Sequence, residues 1–242
     1  MKTSSSPKPG SSLEGLFLCR VRVSSVFATL ILSMFILAAS AKELPQIGLV
    51  QQAEQGNIVA QFALAGKYEL GQDLIQDYEQ AARWFLAAAK QGHAEAQYKL
   101  GRMYDNGRGV GKDYKEGARW IQAAAEQGYA EAQYSLGLMY GIGRGVRQDD
   151  KEAVRWLRAS AEQGNAYAQF NLGFIYSDGL GVPQDVVQSY VWYDLAALDP
   201  TGENAEIAIR RKDFLAEKMT GKEISKAQQL AREWKFKFSV KR

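Results

Sequence analysis

Four residue series in this chain share one period. Gly56, Gly92, Gly128 and Gly164 are spaced by 36 residues, and so are Gln61, Gln97, Gln133 and Gln169. Tyr68, Tyr104, Tyr140 and Tyr176 follow the same step, as do Trp84, Trp120, Trp156 and Trp192. Four series without slippage are not coincidence. A period of this size marks stacked supersecondary units, each burying its apolar face against the next.

Each unit reads as two helices. In "AEAQYKLGRMYDNG", Ala96, Leu100 and Tyr104 fall at i, i+4 and i+8, one apolar stripe. Gly101, Gly137 and Gly173 sit inside this first helix, where glycine costs about 1 kcal/mol, so a partner helix is expected to approach closely there. Ala65 holds the same place in the first unit. In "DYKEGARWIQAAAEQG", Gly117, Trp120 and Ala124 fall at i, i+3 and i+7, and tryptophan reads as the bulky member that the small residues receive. The helix ends are also written. Asp77, Asp113, Asp149 and Asp185 recur before the second helices, with Gln80, Glu116, Glu152 and Gln188 three residues on, the pattern of a capping box. "EQG" closes the second helices on a glycine, as a left-handed C-terminal cap requires.

The flanks differ from the repeats. Lys2, Lys8, Arg20 and Arg22 precede the uncharged run "VFATLILSMFILA", and "ASA" follows at 39–41. This is the layout of a secretory signal peptide cleaved after Ala41. The alternative is an uncut anchor, since 23–41 carry no charge. Residues 1–41 hold four basic groups and one acid, so the remainder holds 26 of each and is neutral. The basic pI therefore belongs to the leader and is no nucleic-acid footprint. Cys19, the only cysteine, precedes the apolar run, which argues against a lipoprotein anchor and leaves the exported part without disulfides. The expected division is a leader at 1–41, a capping helix at 42–56 and repeats at 57–92, 93–128, 129–164 and 165–199. Closing helices and a basic tail follow at 200–242. "NAEIAIRRKDFLAEKM" and "TGKEISKAQQLAREW" are the two closing helices, the second opened by Thr220 with Glu223 three on.

"AEAQYKLGRMYDNGRGVGKDYKEGARWIQAAAEQG" resembles a Sel-1-like repeat, a relative of the tetratricopeptide repeat. The matching marks are Ala96, Gln97, Leu100, Gly101, Tyr104, Gly107, Gly109, Val110, Asp113, Trp120, Ala124 and Ala125. The first unit departs most, with "GQDLIQD" at its turn. The resemblance implies an all-α, right-handed α-solenoid that binds other proteins or cell-envelope components. A cysteine-rich branch of the family is associated with penicillin binding and weak β-lactamase activity. This chain lacks the cysteine pairs of that branch, so the activity is not carried over; a binder or hydrolase of peptidoglycan fragments or β-lactams is the alternative reading.

"NGRGVGKD" invites comparison with a phosphate loop and fails it. Only three residues separate Gly107 from Gly111, and Asp113 stands where a metal-binding Ser or Thr is needed. The loop recurs as "GIGRGVRQD" and "DGLGVPQD" without its lysine, so what repeats is a plugged and capped turn. His93 is the only histidine and shares its slot with Asn57, Tyr129 and Asn165, which excludes a zinc ligand set. Asp149 and Asp150 are sequence neighbours and do not face each other on a helix. No catalytic group, metal site or cofactor is expected.

The remaining candidate is the groove that repeat stacks line with their first helices. Resemblance to tetratricopeptide repeats places Phe62, Tyr98, Tyr134 and Phe170 there as an aromatic ladder. Beside it run Gly66, Arg102, Leu138 and Phe174, and Val59, Glu95, Glu131 and Tyr167, which vary between units as a binding face would. Tyr98, Arg102, Tyr134, Leu138, Tyr167, Phe170 and Phe174 are the candidate partner-binding residues. Gly101, Tyr104, Asp113, Trp120, Gly137, Tyr140, Asp149, Trp156, Gly173, Tyr176 and Trp192 are the structural series. The expected function is a non-enzymatic, periplasmic or secreted adaptor for a protein or peptide of the cell envelope, with no nucleic acid and no membrane unless the leader stays uncut.

Overall fold

The computed structural model describes residues 48–199 and 204–240. The expected leader and the start of the N-terminal capping segment lie outside the described residues. The chain divides into two compact units, 1–52 and 53–242. Of the first, residues 48–52 are described and are helical.

In the second unit, four pairs of helices succeed one another, and α1 denotes the helical residues 48–54 before them. The pairs are α2 (Ile58–Leu70) with α3 (Tyr78–Lys90), α4 (Ala94–Asn106) with α5 (Tyr114–Glu126), α6 (Ala130–Ile142) with α7 (Asp150–Ala161), and α8 (Ala166–Asp178) with α9 (Val186–Ala196). Each second helix packs on the first helix of its own pair, and the first three also pack on that of the next, so the pairs stack into an α-solenoid. Two closing helices, α10 (Ala205–Ala216) and α11 (Gly221–Val240), both pack on α9. The run "KFKFSV" is thus the last turns of α11, where the sequence suggested a separate tail. No strand occurs among the described residues, and no helix there is long and apolar enough to cross a membrane.

The glycines of the first helices sit where two backbones nearly touch. A Cβ on Gly101 would lie 2.6 Å from Ile121 Cγ1 and 2.8 Å from the Gly117 carbonyl oxygen. On Gly137 it would lie 2.7 Å from Leu157 Cγ, and on Gly173 2.7 Å from Tyr193 Cδ1. The sequence assigned the bulky partner to tryptophan, and the structure corrects this: the residue after each tryptophan occupies the glycine notch. Trp120 packs instead against the core that Ala65 and Phe85 of the preceding pair form with Leu100 and Met103 of its own. Trp156 does the same one unit on, against Ile121 and Leu136. Tyr104 and Tyr140 are half-buried, whereas Tyr176 is buried with Trp192 in the last core cluster.

A line of glutamines ties the stack together. Gln61, Gln97, Gln133 and Gln169 are buried polar side chains, and burial is tolerable only if their amides are bonded. Each Nε2 donates to a carbonyl at the end of the preceding second helix: Ala53, Ala89, Ala125 and Ala161, at 3.0, 3.1, 3.1 and 3.1 Å. Each of the first three Oε1 atoms accepts, at 2.7 Å, from the glutamine ending its own unit's second helix: Gln91, Gln127 and Gln163.

The helix caps follow the pattern of the sequence with one change. Asp113 Oδ1 accepts from the amides of Lys115 and Glu116 at 2.9 and 3.0 Å, and Asp77, Asp149 and Asp185 act alike. The reciprocal half of the box is absent at Asp113, because its own amide donates to the Tyr104 carbonyl; Glu116 pairs with Arg119 instead. Among the described residues only Thr220 and Glu223 bond in both directions.

The closing helices are held by one carboxylate. Asp194 on α9 receives Lys212 of α10 at 3.1 Å and Lys235 of α11 at 2.6 Å. Burial alone would raise the Asp194 pKa, but the hydrogen bonds from Lys235 and Lys212 outweigh it and hold the carboxyl below its usual range. Burial likewise works against the charge of Lys212, yet Asp194 raises its pKa above the ordinary value.

Two outcomes follow from these contacts. Gly137→Val should lower stability by about 1–3 kcal/mol through overpacking against Leu157, measured by urea denaturation. The Asp194 clamp contributes fully above the unfolded carboxyl pKa of about 3.9 and is lost as pH falls through the depressed folded value. On the alkaline side its lysine share is lost as pH rises past about 10.4 toward the raised folded value of Lys212. Asp194→Asn should cost about 1–3 kcal/mol at neutral pH and flatten the acid limb of a stability-against-pH curve below pH 4.

Candidate partner-binding face

The stripe of buried residues on each first helix leaves one face for other work. On α4, Ala96, Gln97, Leu100, Gly101 and Met103 are buried. The opposite side then carries Glu95, Tyr98, Lys99 and Arg102, at helical neighbour spacings. The same register puts Glu131, Tyr134 and Leu138 on α6, and Tyr167, Phe170 and Phe174 on α8.

The aromatic ladder spaces the helices more than it faces outward. Phe62, Tyr98, Tyr134 and Phe170 are all half-buried. Phe62 stacks on His93 at 4.4 Å, Tyr98 meets Tyr129 at 5.4 Å, and Tyr134 meets Tyr167 at 6.0 Å. In each case a ring of one first helix rests on a residue at the start of the next. Phe170 turns to Tyr193 on α9, at 5.6 Å.

The variable positions are the exposed ones. Leu138, Phe174 and Tyr167 are 37%, 41% and 46% exposed. Val59, Arg102 and Glu131 are also exposed, while Gly66 and Glu95 are intermediate. Arg102 lies back over its own helix, with Nη1 donating to Tyr98 Oη at 3.0 Å. The face therefore changes along the stack, from charged on α4, through Glu131 with Leu138 on α6, to aromatic on α8. Ile142, one turn beyond Leu138, joins this exposed set. Sequence reasoning missed it because Asn106 and Asp178 hold the same slot and mask it as a polar helix end.

The phenols here stay neutral. Tyr129 is pushed up to about 12 by burial first, then by the charges of Glu131 and Glu95. Burial also raises Tyr134, partly countered by its hydrogen bond with Asn171. Both hydroxyls remain protonated at physiological pH, so they stay available as donors.

The glycine loop has a structural task. Gly107 and Gly109 take positive φ, and a Cβ on Gly109 would lie 2.0 Å from the Tyr78 carbonyl oxygen. Gly145 meets Tyr114 in the same way, and Gly181 meets Asp150. The loop thus docks against the first turn of the preceding second helix, with Arg108 over the Tyr78 ring at 4.8 Å. The glycines that would let a backbone approach a phosphate here let it approach the preceding unit. His93 is an N-cap whose Nδ1 accepts from the Ala96 amide at 3.2 Å. Among the described residues no group of His, Cys, Asp or Glu could hold a metal ion.

The Sel1 repeat model matches residues 58–93, 94–129, 130–165 and 166–199. No curated protein matches the chain. Among solved structures, a protective antigen present in uropathogenic Escherichia coli strains and displaying an SLR fold is 34% identical, with a TM-score of 0.70 over 80% of this chain and 41% of the antigen. This chain thus spans about two fifths of that protein's length. A Sel1 repeat protein from Oxalobacter formigenes is 29% identical, with a TM-score of 0.63 over 76% of this chain and 84% of that one.

The loop geometry separates its residues by thermal or urea denaturation. Asp113→Ala should cost about 1 kcal/mol through the lost cap. Lys112→Ala should cost under about 1 kcal/mol, since exposed Lys112 only lies over the Tyr114 ring, at 4.9 Å. Gly109→Ala should exceed both, and equal effects at the three positions would contradict this account of the loop.

Proposed function

The chain belongs to the Sel1 repeat family, and from that premise we propose that it is an exported adaptor that holds a peptide or partner domain against its first helices. Proteins of this family are generally non-catalytic scaffolds for protein interaction. The observation that carries the finer reading is the exposed set Leu138, Tyr167 and Phe174, joined by Ile142, on helices whose other apolar side chains are spent on packing. Apolar and aromatic anchors in such a patch provide most of an interface's energy. Glu95 and Glu131 lie at the other end of the same face and favour a basic group on the partner. The fitting ligand is a segment with a cation toward α4 and α6 and an apolar side chain toward α8.

The proposal of export rests on the basic start, the apolar run and the small residues ending at Ala41. Mass spectrometry of the protein recovered from a periplasmic extract should find Lys42 as the first residue. A full-length chain in the membrane fraction would replace the soluble adaptor with an anchored one.

Partner binding is tested by pull-down from envelope extract with the wild-type chain and a Leu138→Ser, Phe174→Ala variant. Both side chains are exposed, so the melting temperature should change little. Capture of the specific partner should fall about tenfold or more, as the loss of one or two interface anchors implies. Undiminished capture would remove this face from the binding site.

A further inference from the structure

Helix α11 has two faces, and packing uses one of them. Ala227 and Ala231 are buried, and Trp234 and Phe238 pack on the last core cluster, with the Trp234 ring 5.5 Å from Trp192. The opposite side carries Arg232, Phe236 and Val240 at i, i+4 and i+8, one stripe of a helix. All three are exposed, Phe236 and Val240 at 71% each. Single exposed apolar residues are ordinary. Two on one stripe, preceded by a cation, are the chemistry that the first-helix face is read above as accepting.

The complement lies on α6. Glu131, Leu138 and Ile142 fall there at i, i+7 and i+11 and are exposed. In each stripe the two apolar residues are four apart, about 6 Å along the helix. The charged residue precedes the first of them by about 6 Å on α11 and about 10 Å on α6. The long, forked arginine side chain spans that difference. Tyr167 and Phe174 of α8 extend the apolar side of the face. Charge is divided in the same sense: residues 58–199 carry 14 Lys and Arg against 18 Asp and Glu, whereas 205–240 carry nine against five. Within one molecule the two stripes do not meet. The inner side of α11 lies on α9 and Lys235 is fixed to Asp194 at 2.6 Å, so Arg232, Phe236 and Val240 point away from their own stack.

We propose that the outer stripe of α11 docks on the α6 and α8 face of a second copy of this chain. Arg232 meets Glu131, and Phe236 and Val240 meet Leu138, Ile142 and Phe174, a helix laid along a groove. The proposal rests on the reading of that face as the binding site and names its occupant. The contact is head-to-tail, since the two surfaces differ, and each added copy presents a free face and a free tail. Opposite net charge on the two parts steers the encounter.

The test is sedimentation velocity of the intact chain over a hundredfold range of concentration. The mean mass is expected to rise beyond one copy, and less so at high salt, which screens the Arg232–Glu131 contact. Phe236→Ser and Leu138→Ser change exposed side chains, so each should keep its melting temperature and raise the dissociation constant tenfold or more. Mixing these two variants should give a dimer and nothing larger, since one supplies the tail and the other the face. Arg232→Glu should weaken association several-fold, and Glu131→Arg added to the same chain should restore most of it. A chain that stays one copy throughout, or a mixture of the two variants that does not pair, overturns the proposal. If that single copy still loses its captured partner on Leu138→Ser, Phe174→Ala, the adaptor reading stands with another occupant. Binding of the single copy to vesicles of anionic lipid, lost on Phe236→Ser, would assign the stripe to a membrane surface and likewise overturn it.

Discussion

The stack depends on how closely two backbones can approach within each pair of helices. At Gly101, Gly137 and Gly173 there is no room for a methyl group, because the side chain of Ile121, Leu157 or Tyr193 already fills the notch. This contact sets the distance between first and second helix. Once it is set, the second helix offers its remaining apolar face, tryptophan included, to the neighbouring unit. Glycine weakens an isolated helix, and the packing it permits here more than offsets that loss.

Contacts between units are of three kinds, each repeated along the chain. Tryptophans carry apolar surface across the joint. Buried glutamines link the carbonyl ending one second helix to the carboxamide ending the next, so that each joint has a directional bond as well as a greasy one. The glycine loops rest on the first turn of the preceding second helix. Apolar contact alone would permit sliding, whereas hydrogen bonds of fixed reach specify register. The stack ends where this set is interrupted: Asp199 replaces glutamine, and the Asp194 clamp with Lys212 and Lys235 directs α10 and α11 across the last pair.

Much of this was legible because repetition turns one chain into several readings of the same unit. The period alone located the helices, the aspartate caps and the turn glycines, and comparing three copies of the loop removed the nucleotide reading before any geometry was known. Other features were not legible. Tryptophan was assigned to the glycine notch because both are conspicuous at helical spacing, yet its neighbour fills the notch. Trp120 and Ile121 differ by 100° around the helix, and spacing cannot say which direction points inward. The capping box at Asp113 looked complete in sequence, but the Tyr104 carbonyl takes the amide that Glu116 would need. Ile142 was hidden by Asn106 and Asp178, the polar residues at the equivalent positions on either side.

The sequence by itself determined the all-α repeat architecture, the length of each unit, the places where helices start and stop, and the family. These follow from local chemistry and from period, which need no knowledge of neighbours in space. Only the tertiary structure decided which aromatics hold helices apart and which remain on the surface. Tyr134 and Phe174 are both apolar residues on a first helix, and one is half-buried against Tyr167 while the other is exposed. It also decided that the carboxamides of Gln61, Gln97 and Gln133 are bonded through both their nitrogen and their oxygen. Whether a side chain is satisfied depends on what the adjacent unit brings to it, and that is a property of the stack.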